Sequence, residues 1–326
     1  MSGADISRRG FLALGAAVAA MPDVASDQAG RTEGPLSGAS SPILDAVKFR
    51  KIEIAVGATR PFTVIHASDS HLNFMTVEDL IGAKYGSDLE LYQSRRKTFD
   101  ALPGLAAVLL AARLRKLPIL YTGDLIDYES EANLEFACKA FTGADVLFTP
   151  GNHECAGHWG QKPPDWNECK AMRRRMGRFF PNETVVASRI VNGVNFVAFD
   201  NAGMSRDVAA TAQFDRIRAE FEKGLPTVLM YHIPFYCREL RDALVDGKGH
   251  KPVKEEHLAW GYLANVPNGG TAAEKKIFEY AASRKNLKAA LCGHLHAEFV
   301  CPFSDSVKQY IAGATYKGQA YEITFT

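Results

Sequence analysis

Residues 118–127 read Pro-Ile-Leu-Tyr-Thr-Gly-Asp-Leu-Ile-Asp. The run Ile119 to Thr122 has the length and composition of a buried strand, and it gives way to a glycine, then to Asp124, with Asp127 three residues further on. Such a segment sets carboxylates at the carboxyl end of a strand, where α/β sheets form their ligand crevices.

The same design recurs four times along the chain. Phe62 to Ala67 runs into Asp69-Ser70-His71, and Val146 to Thr149 into Gly151-Asn152-His153-Glu154; Thr227 to Tyr231 meets His232, and Lys288 to Leu291 meets Gly293-His294-Leu295-His296. Val194 to Phe199 is a sixth run of the same kind. Helical patterns lie between them: Leu105, Val108, Leu109 and Ala112 share one face, and a Thr271/Glu274 capping box opens a segment with Ala273, Ile277 and Tyr280 in register. Strand and helix alternate, which predicts an α/β fold, and no internal repeat is visible.

Five strand ends that are distant in sequence can meet at one crevice, bringing two carboxylates, three or four imidazoles and an amide together. A lone Asp-x-His is usually a solvated turn, and a lone Gly-Asn-His is usually loop chemistry. As an ordered set they are a donor array of oxygen and nitrogen without thiolate, suited to divalent or trivalent Mn, Fe or Zn. The array exceeds what one ion needs; because a carboxylate can bridge, two ions are the natural count.

The ordered motifs Asp-x-His, Gly-Asp-x-x-Asp, Gly-Asn-His-Glu, a single His, and Gly-His-x-His resemble the signature of the calcineurin-like metallophosphoesterases, from about Phe62 to His296. The resemblance implies a layered sandwich of two central β-sheets flanked by helices. It implies Asp69, His71 and His296 on one metal, Asn152, His232 and His294 on the other, and Asp124 as the bridge. It also implies hydrolysis of a phosphate ester by a hydroxide held between two cations about 3.5–4 Å apart. A leaving alkoxide needs a proton, so His153, next to Asn152, is the expected general acid or transition-state stabiliser. Asp127 is the carboxylate expected to orient His153, its other role being to cap a helix that begins near Ser130. Glu154 and His66 receive no role, nor do His250 and His257.

The 326 residues are 47% hydrophobic, enough for a large core, and the net charge of +1 gives no reason to expect a stable nucleic-acid partner or an anionic membrane surface. Ser7-Arg8-Arg9-Gly10-Phe11-Leu12 precedes an apolar run from Phe11 to Met21 that ends before Pro22. This reads as a twin-arginine signal, which predicts the export machinery as a partner and a periplasmic or extracellular destination. The run is shorter than the roughly 20 residues of a spanning helix, so no transmembrane anchor is expected. The expected organisation is a signal at 1–26, a flexible Gly/Ser/Pro-rich linker at 27–48 and a catalytic domain at 49–326.

Six cysteines, Cys138, Cys155, Cys169, Cys237, Cys292 and Cys301, lack zinc-finger spacing; after export they are candidates for up to three disulfides, with buried free thiols an equal alternative. Specificity is expected in three insertions, Leu72 to Leu117, Cys155 to Pro181 and Phe235 to Thr271. The latter two hold Trp159, Trp166 and Trp260 with His158, Lys162, Arg238, Arg241, Lys248 and Lys251. Such a rim would suit a small-molecule phosphate ester such as a nucleotide or sugar phosphate, although tryptophans also serve as satellite cores. The expected reaction is phosphoester hydrolysis, with a diester ahead of a monoester. Cleavage of a pyrophosphate bond in a nucleotide or lipid precursor would use the same donors. A noncatalytic protein-binding scaffold would be expected to have lost some ligands, and all seven positions are filled.

Overall fold

The structure, a computed structural model, describes residues 42–74, 100–154, 177–202, 208–248, 251–260, 262–267 and 269–326. The expected signal, and the linker as far as residue 41, lie outside the described residues.

Two sheets form the centre. The first is ordered β1 (Lys48–Ile54), β11 (Gln319–Phe325), β2 (Phe62–Ala67), β3 (Ile119–Thr122), β4 (Val146–Thr149). The second is ordered β5 (Val186–Val191), β6 (Val194–Phe199), β7 (Thr227–Met230), β8 (Leu287–Cys292), β10 (Lys308–Ile311), β9 (Phe299–Pro302). Strands β2, β3 and β4 run parallel, as do β6, β7, β8 and β10, so their carboxyl ends point one way within each sheet.

Side chains alternate across each strand, and this places the cores. Val64, Leu120, Leu147, Phe196, Val228 and Met230 fill the space between the sheets. Their neighbours Ile65, Ile119, Tyr121, Val146 and Phe148 turn outward onto helices α1 (Leu102–Arg115) and α2 (Glu131–Phe141). Val197, Phe199 and Leu229 do the same beneath α3 (Val208–Glu222), α4 (Arg238–Val245) and α5 (Ala272–Ala282). Strands buried on both faces must be apolar at every position, which is why they read as unbroken runs. The result is the four-layered α/β sandwich.

Helix α1 buries the expected face of Leu105, Val108, Leu109 and Ala112. Thr271 and Glu274 close a reciprocal capping box on α5, whose fully buried residues are Ile277 and Ala281, with Tyr280 packed at the margin. The domain begins earlier than Phe49. A 3-10 helix at Leu44–Ala46 packs on α1, and Lys48 pairs with Gln319 in the parallel β1–β11 ladder. Leu44 and Val47 bury apolar surface against α1, so packed structure precedes Phe49. No helix among the described residues is long and apolar enough to cross a membrane.

Candidate metal centre

The five motif loops leave the carboxyl ends of β2, β3 and β4 in one sheet and β7 and β8 in the other, and they bind one another through backbone. Asp69 N–H donates to Gly123 O (2.9 Å), His71 N–H to Asp124 O (3.0 Å), and Gly293 N–H to His232 O (3.1 Å). Gly123 turns the chain at φ 85°, and a Cβ there would lie 2.6 Å from Gly151 N, so only glycine lets the second and third loops approach this closely. Asp69, His71, Asp124, His294 and His296 all have φ between 49° and 76°. This left-handed region costs about 1–3 kcal/mol per non-glycine residue and persists where surrounding structure over-determines it.

Two donor groups result. Asp69, His71, Asp124 and His296 bring ligand atoms within 4.8 Å of one another, and so do Asp124, His232 and His294. Asp124 is common to both. In the first group His71 Nε2 faces His296 Nε2 at 2.9 Å, and His296 Nε2 lies 3.2 Å from Asp69 Oδ1. In the second, His232 Nε2 lies 3.1 Å from Asp124 Oδ2, 3.2 Å from Asn152 Oδ1 and 3.2 Å from His294 Nδ1. All seven residues named from the motifs thus meet in one place. A third group, His71, Asp127 and His153, is better read as hydrogen bonding, because it uses the far nitrogen of His71 and its distances are those of N–H···O contacts.

The outer ring nitrogens explain which atoms are offered inward. His71 Nδ1 is held by Asp127 Oδ1 at 3.0 Å, His232 Nδ1 by Thr122 O at 2.7 Å, and His153 Nδ1 by Asp127 O at 2.7 Å. A carbonyl or carboxylate only accepts, so each fixes a proton on Nδ1 and makes Nε2 the nitrogen turned toward an ion. His232 and His71 then present Nε2 to the shared space, whereas His294 presents Nδ1.

The electrostatics fit a cation seat. Burial alone would raise the carboxyl of Asp69, but the His296 and His71 rings outweigh burial and hold it well below the usual range. Asp124 is lowered too, the charges of His232, His153 and His71 overcoming burial. Burial depresses His71, yet Asp127, Asp69 and Asp124 raise it to about 10; for His232 the Asp124 charge prevails over burial and gives about 9. Burial and the neighbouring His232 push His294 down to about 3. His71 and His232 are thus the rings on which the neighbouring acids favour a second proton when no ion is present. Asp69 Oδ1 is buried without a well-aligned hydrogen bond although two imidazole nitrogens lie within 3.7 Å of it. A buried orphan oxygen beside imidazole nitrogens is what a cation would satisfy. The residues therefore fit a pair of metal ions.

Asp127 serves more than the expected partner. Its Oδ1 is 3.0 Å from His71 Nδ1 and 3.3 Å from His153 Nδ1, so it orients both rings. It does not cap α2: Ser130 does, its hydroxyl accepting from Asn133 N–H.

Three further residues act here without a role read from the sequence, Glu154 as the end of the third motif and Asn201 and Tyr316 from outside the motifs. Glu154, fully buried, accepts from Gly151 N–H (2.6 Å), Asp124 N–H (2.9 Å) and Ile126 N–H (3.1 Å), tying the second and third loops together. Asn201, just beyond β6, accepts from His232 N–H and Ile233 N–H and so sets the fourth loop. Tyr316 places its hydroxyl 3.1 Å from His296 Nδ1. His66 is packed, as its place in a strand suggests: its Nε2 bonds Thr122 Oγ1, and burial lowers it to about 3.

Of the expected substrate rim, Trp159, Trp166, His158 and Lys162 lie outside the described residues, as does the side chain of Trp260. Arg241 is engaged by Glu255 and Asp242, and Lys248 by Asp246, which leaves them poorly placed as anion clamps. Tyr262, from the same insertion, reaches the site, its ring 6.4 Å from that of His294. Cys138, Cys237, Cys292 and Cys301 are free thiols; Cys155 and Cys169 lie outside the described residues.

A family model described as calcineurin-like phosphoesterase matches residues 62–298. No curated protein matches the chain. Among solved structures, a dimetal phosphatase from Danio rerio is 10% identical with a TM-score of 0.43, the match covering 78% of this chain and 88% of that one. A purple acid phosphatase from Lupinus luteus is 14% identical with a TM-score of 0.46, over 80% of this chain and 45% of that one. A phosphopantetheinyl hydrolase from Mycobacterium tuberculosis is 15% identical with a TM-score of 0.37, over 78% of this chain and 90% of that one. At these identities and scores the individual structures carry no weight beyond that of the family model.

Proposed function

Because the chain belongs to the calcineurin-like phosphoesterase family, in which a dimetal centre hydrolyses phosphoesters, we propose that this metal-dependent phosphoester hydrolase acts on a small-molecule phosphodiester in preference to a monoester. The observation that carries the reading is the sharing of Asp124 between two donor groups. In it, Asp69, His71 and His296 would hold one ion and Asn152, His232 and His294 the other, with Asp124 shared between the two groups. When bound, such a pair polarises the phosphoryl oxygens and lowers the pKa of a water enough to make a nucleophile near neutral pH.

The chain's own residues supply the rest. Asp127 O accepts the Nδ1 proton of His153, which leaves Nε2 to deliver a proton to the departing alkoxide. Asp127 Oδ1, 3.3 Å away, steadies the same edge of the ring, and the proton delivered is one carried on Nε2. Lys317 Nζ, bonded to His296 O at 3.1 Å, brings one ammonium to the edge of the site, matching the single negative charge of a diester.

The test is turnover of bis(p-nitrophenyl) phosphate and p-nitrophenyl phosphate by protein loaded with Mn, alongside Asp124→Asn. Faster diester turnover that the variant abolishes supports the proposal. Preference for the monoester overturns the diester assignment, and failure on both esters by a two-metal protein redirects the search to pyrophosphate bonds.

The same proposal sets this chemistry outside the cytoplasm, on the strength of Ser7-Arg8-Arg9 before the apolar run. Replacing both Arg8 and Arg9 by lysine should keep the protein in the cytoplasmic fraction; unchanged export would refute a twin-arginine route.

A further inference from the structure

The turn between β10 and β11 is built onto two of the motif loops at once. Thr315 N–H donates to Ser68 O (2.9 Å) and Tyr316 N–H to Asp69 O (3.4 Å), which binds the turn to the loop after β2. Lys317 Nζ donates to His296 O, which binds it to the loop after β8. Gly318, in the left-handed region at φ 73°, ends this short 3-10 helix and returns the chain to β11. Gly104 of α1 lies directly beneath, where a Cβ would be 2.0 Å from Thr315 O. The turn is therefore fixed from three sides.

What it carries is Tyr316. The ring stands edge-on to His296 (5.3 Å, 89°) and to His71 (5.7 Å, 85°), with its hydroxyl 3.1 Å from His296 Nδ1. His71, His232 and His153 each have a carbonyl or carboxylate at Nδ1, and such groups can only accept. His296 has a phenol, which accepts or donates with equal ease. When Tyr316 Oη accepts, the proton sits on Nδ1 and Nε2 turns a lone pair toward Asp69 and His71. When Tyr316 Oη donates, the proton moves to Nε2, on the side that faces Asp69 Oδ1 3.2 Å away, and the ring is no longer a ligand. His296 is also more open than its partners, its side chain 28% exposed against 1% for His71 and 0% for His232.

We infer that Tyr316 is a positioning residue that acts through His296 to set how tightly the group Asp69, His71, Asp124 and His296 holds its ion, making this the more readily exchanged of the two positions. The inference rests on the two-metal reading above.

The test is a double-mutant cycle read as Zn²⁺ affinity, with a chromophoric chelator competing against the wild type, Tyr316→Phe, His296→Ala and the double variant. Tyr316→Phe should weaken one of the two binding steps by about tenfold and leave the other unchanged, as for loss of a hydrogen bond behind a metal-bound imidazole. In the His296→Ala background the same change should have no effect. Melting in EDTA should leave Tyr316→Phe within a few degrees of wild type, which separates the effect from misfolding. Two steps unchanged by Tyr316→Phe, or an equal loss in the His296→Ala background, would overturn the role of Tyr316 while leaving the two-metal reading intact. A wild type that binds fewer than two ions would overturn both.

Discussion

Glu154 gives the sharpest test of how the site is assembled. Its Oε2 takes the N–H groups of Gly151 and Asp124, and its Oε1 takes that of Ile126, all in a fully buried setting. An orphaned buried donor costs about 1–3 kcal/mol, so Glu154→Ala, which orphans three, should destabilise the metal-free protein by roughly 3–6 kcal/mol after allowance for relief of a buried acid. Relief is expected because burial and the Asp124 charge already hold this carboxyl above its ordinary pKa. Glu154→Gln keeps an oxygen for the two strong bonds and turns an amide N–H₂ against Ile126 N–H, so it should cost only about 1–3 kcal/mol. Urea unfolding in EDTA, followed by circular dichroism and extrapolated linearly, measures both. If Ala and Gln cost the same, the charge and not the number of acceptors is what matters, and the reasoning fails. A cost under about 1 kcal/mol for Ala would equally refute it.

Other consequences are open to simple measurement. A Cβ on Gly293 would lie 1.8 Å from Ser68 Oγ and 2.6 Å from Asp69 Oδ2, so Gly293→Ala should displace Asp69 and emerge from dialysis with less than two metals by elemental analysis; full loading would show that the loop has slack. Asp127→Ala should weaken metal binding by about 10–100-fold through His71, and Asp127→Asn, which can still accept at His71 Nδ1, by less. Equal effects in a chelator competition would mean that the carboxylate charge dominates. His66 is neutral in the fold because burial lowers it from 6.5 to about 3. The unfolded chain therefore binds the extra proton, and stability is lost as pH falls from about 6.5 toward 3. His66→Phe should flatten the pH dependence of unfolding in EDTA by up to about 1.4 kcal/mol per pH unit within that window. An unchanged slope would show that His66 titrates normally.

The runs that were legible in the sequence are those buried on both faces. Val64 and Ile65, or Leu147 and Phe148, point to different cores, and each must be apolar, so period and composition agree. β1 and β11 carried no such signal: Lys48–Ile54 exposes charged residues along an edge, and Gln319–Phe325 mixes Glu322 and Thr324 with its apolar positions. Their strand character is decided by each other and by β2, a long-range fact that local pattern does not encode. The candidate donors were legible because they sit at the carboxyl ends of apolar runs, Asp124, Asn152 and His294 directly after a glycine. Glu154, Asn201 and Tyr316 were not, because each acts on backbone or on another side chain from a position that only the folded topology brings near. Asp127 was half legible: a carboxylate behind a histidine was expected, yet that it serves His71 as closely as His153 follows from the bridge between Leu72 and Ile126, which aligns the first and second loops.

That bridge also bears on why the site is strained. Five of the residues at the centre sit in left-handed backbone, and at or beside Asp69, His71, Asp124 and His294 a backbone bond runs to another motif loop. A strand that simply continued would send alternate side chains to opposite faces of its sheet. By reversing the backbone at Asp69 and His71, at Asp124, and at His294 and His296, the chain turns successive donors to the same side, toward the space shared by both sheets. The conformational cost is borne by the backbone bonds among the loops and by the buried carboxylate of Glu154, so the donors are held in place before any ion arrives. A preformed array of this kind loses little entropy on loading. It also makes the phenol of Tyr316 behind His296, which can donate or accept, a contact through which the proposed tuning would leave the rest undisturbed.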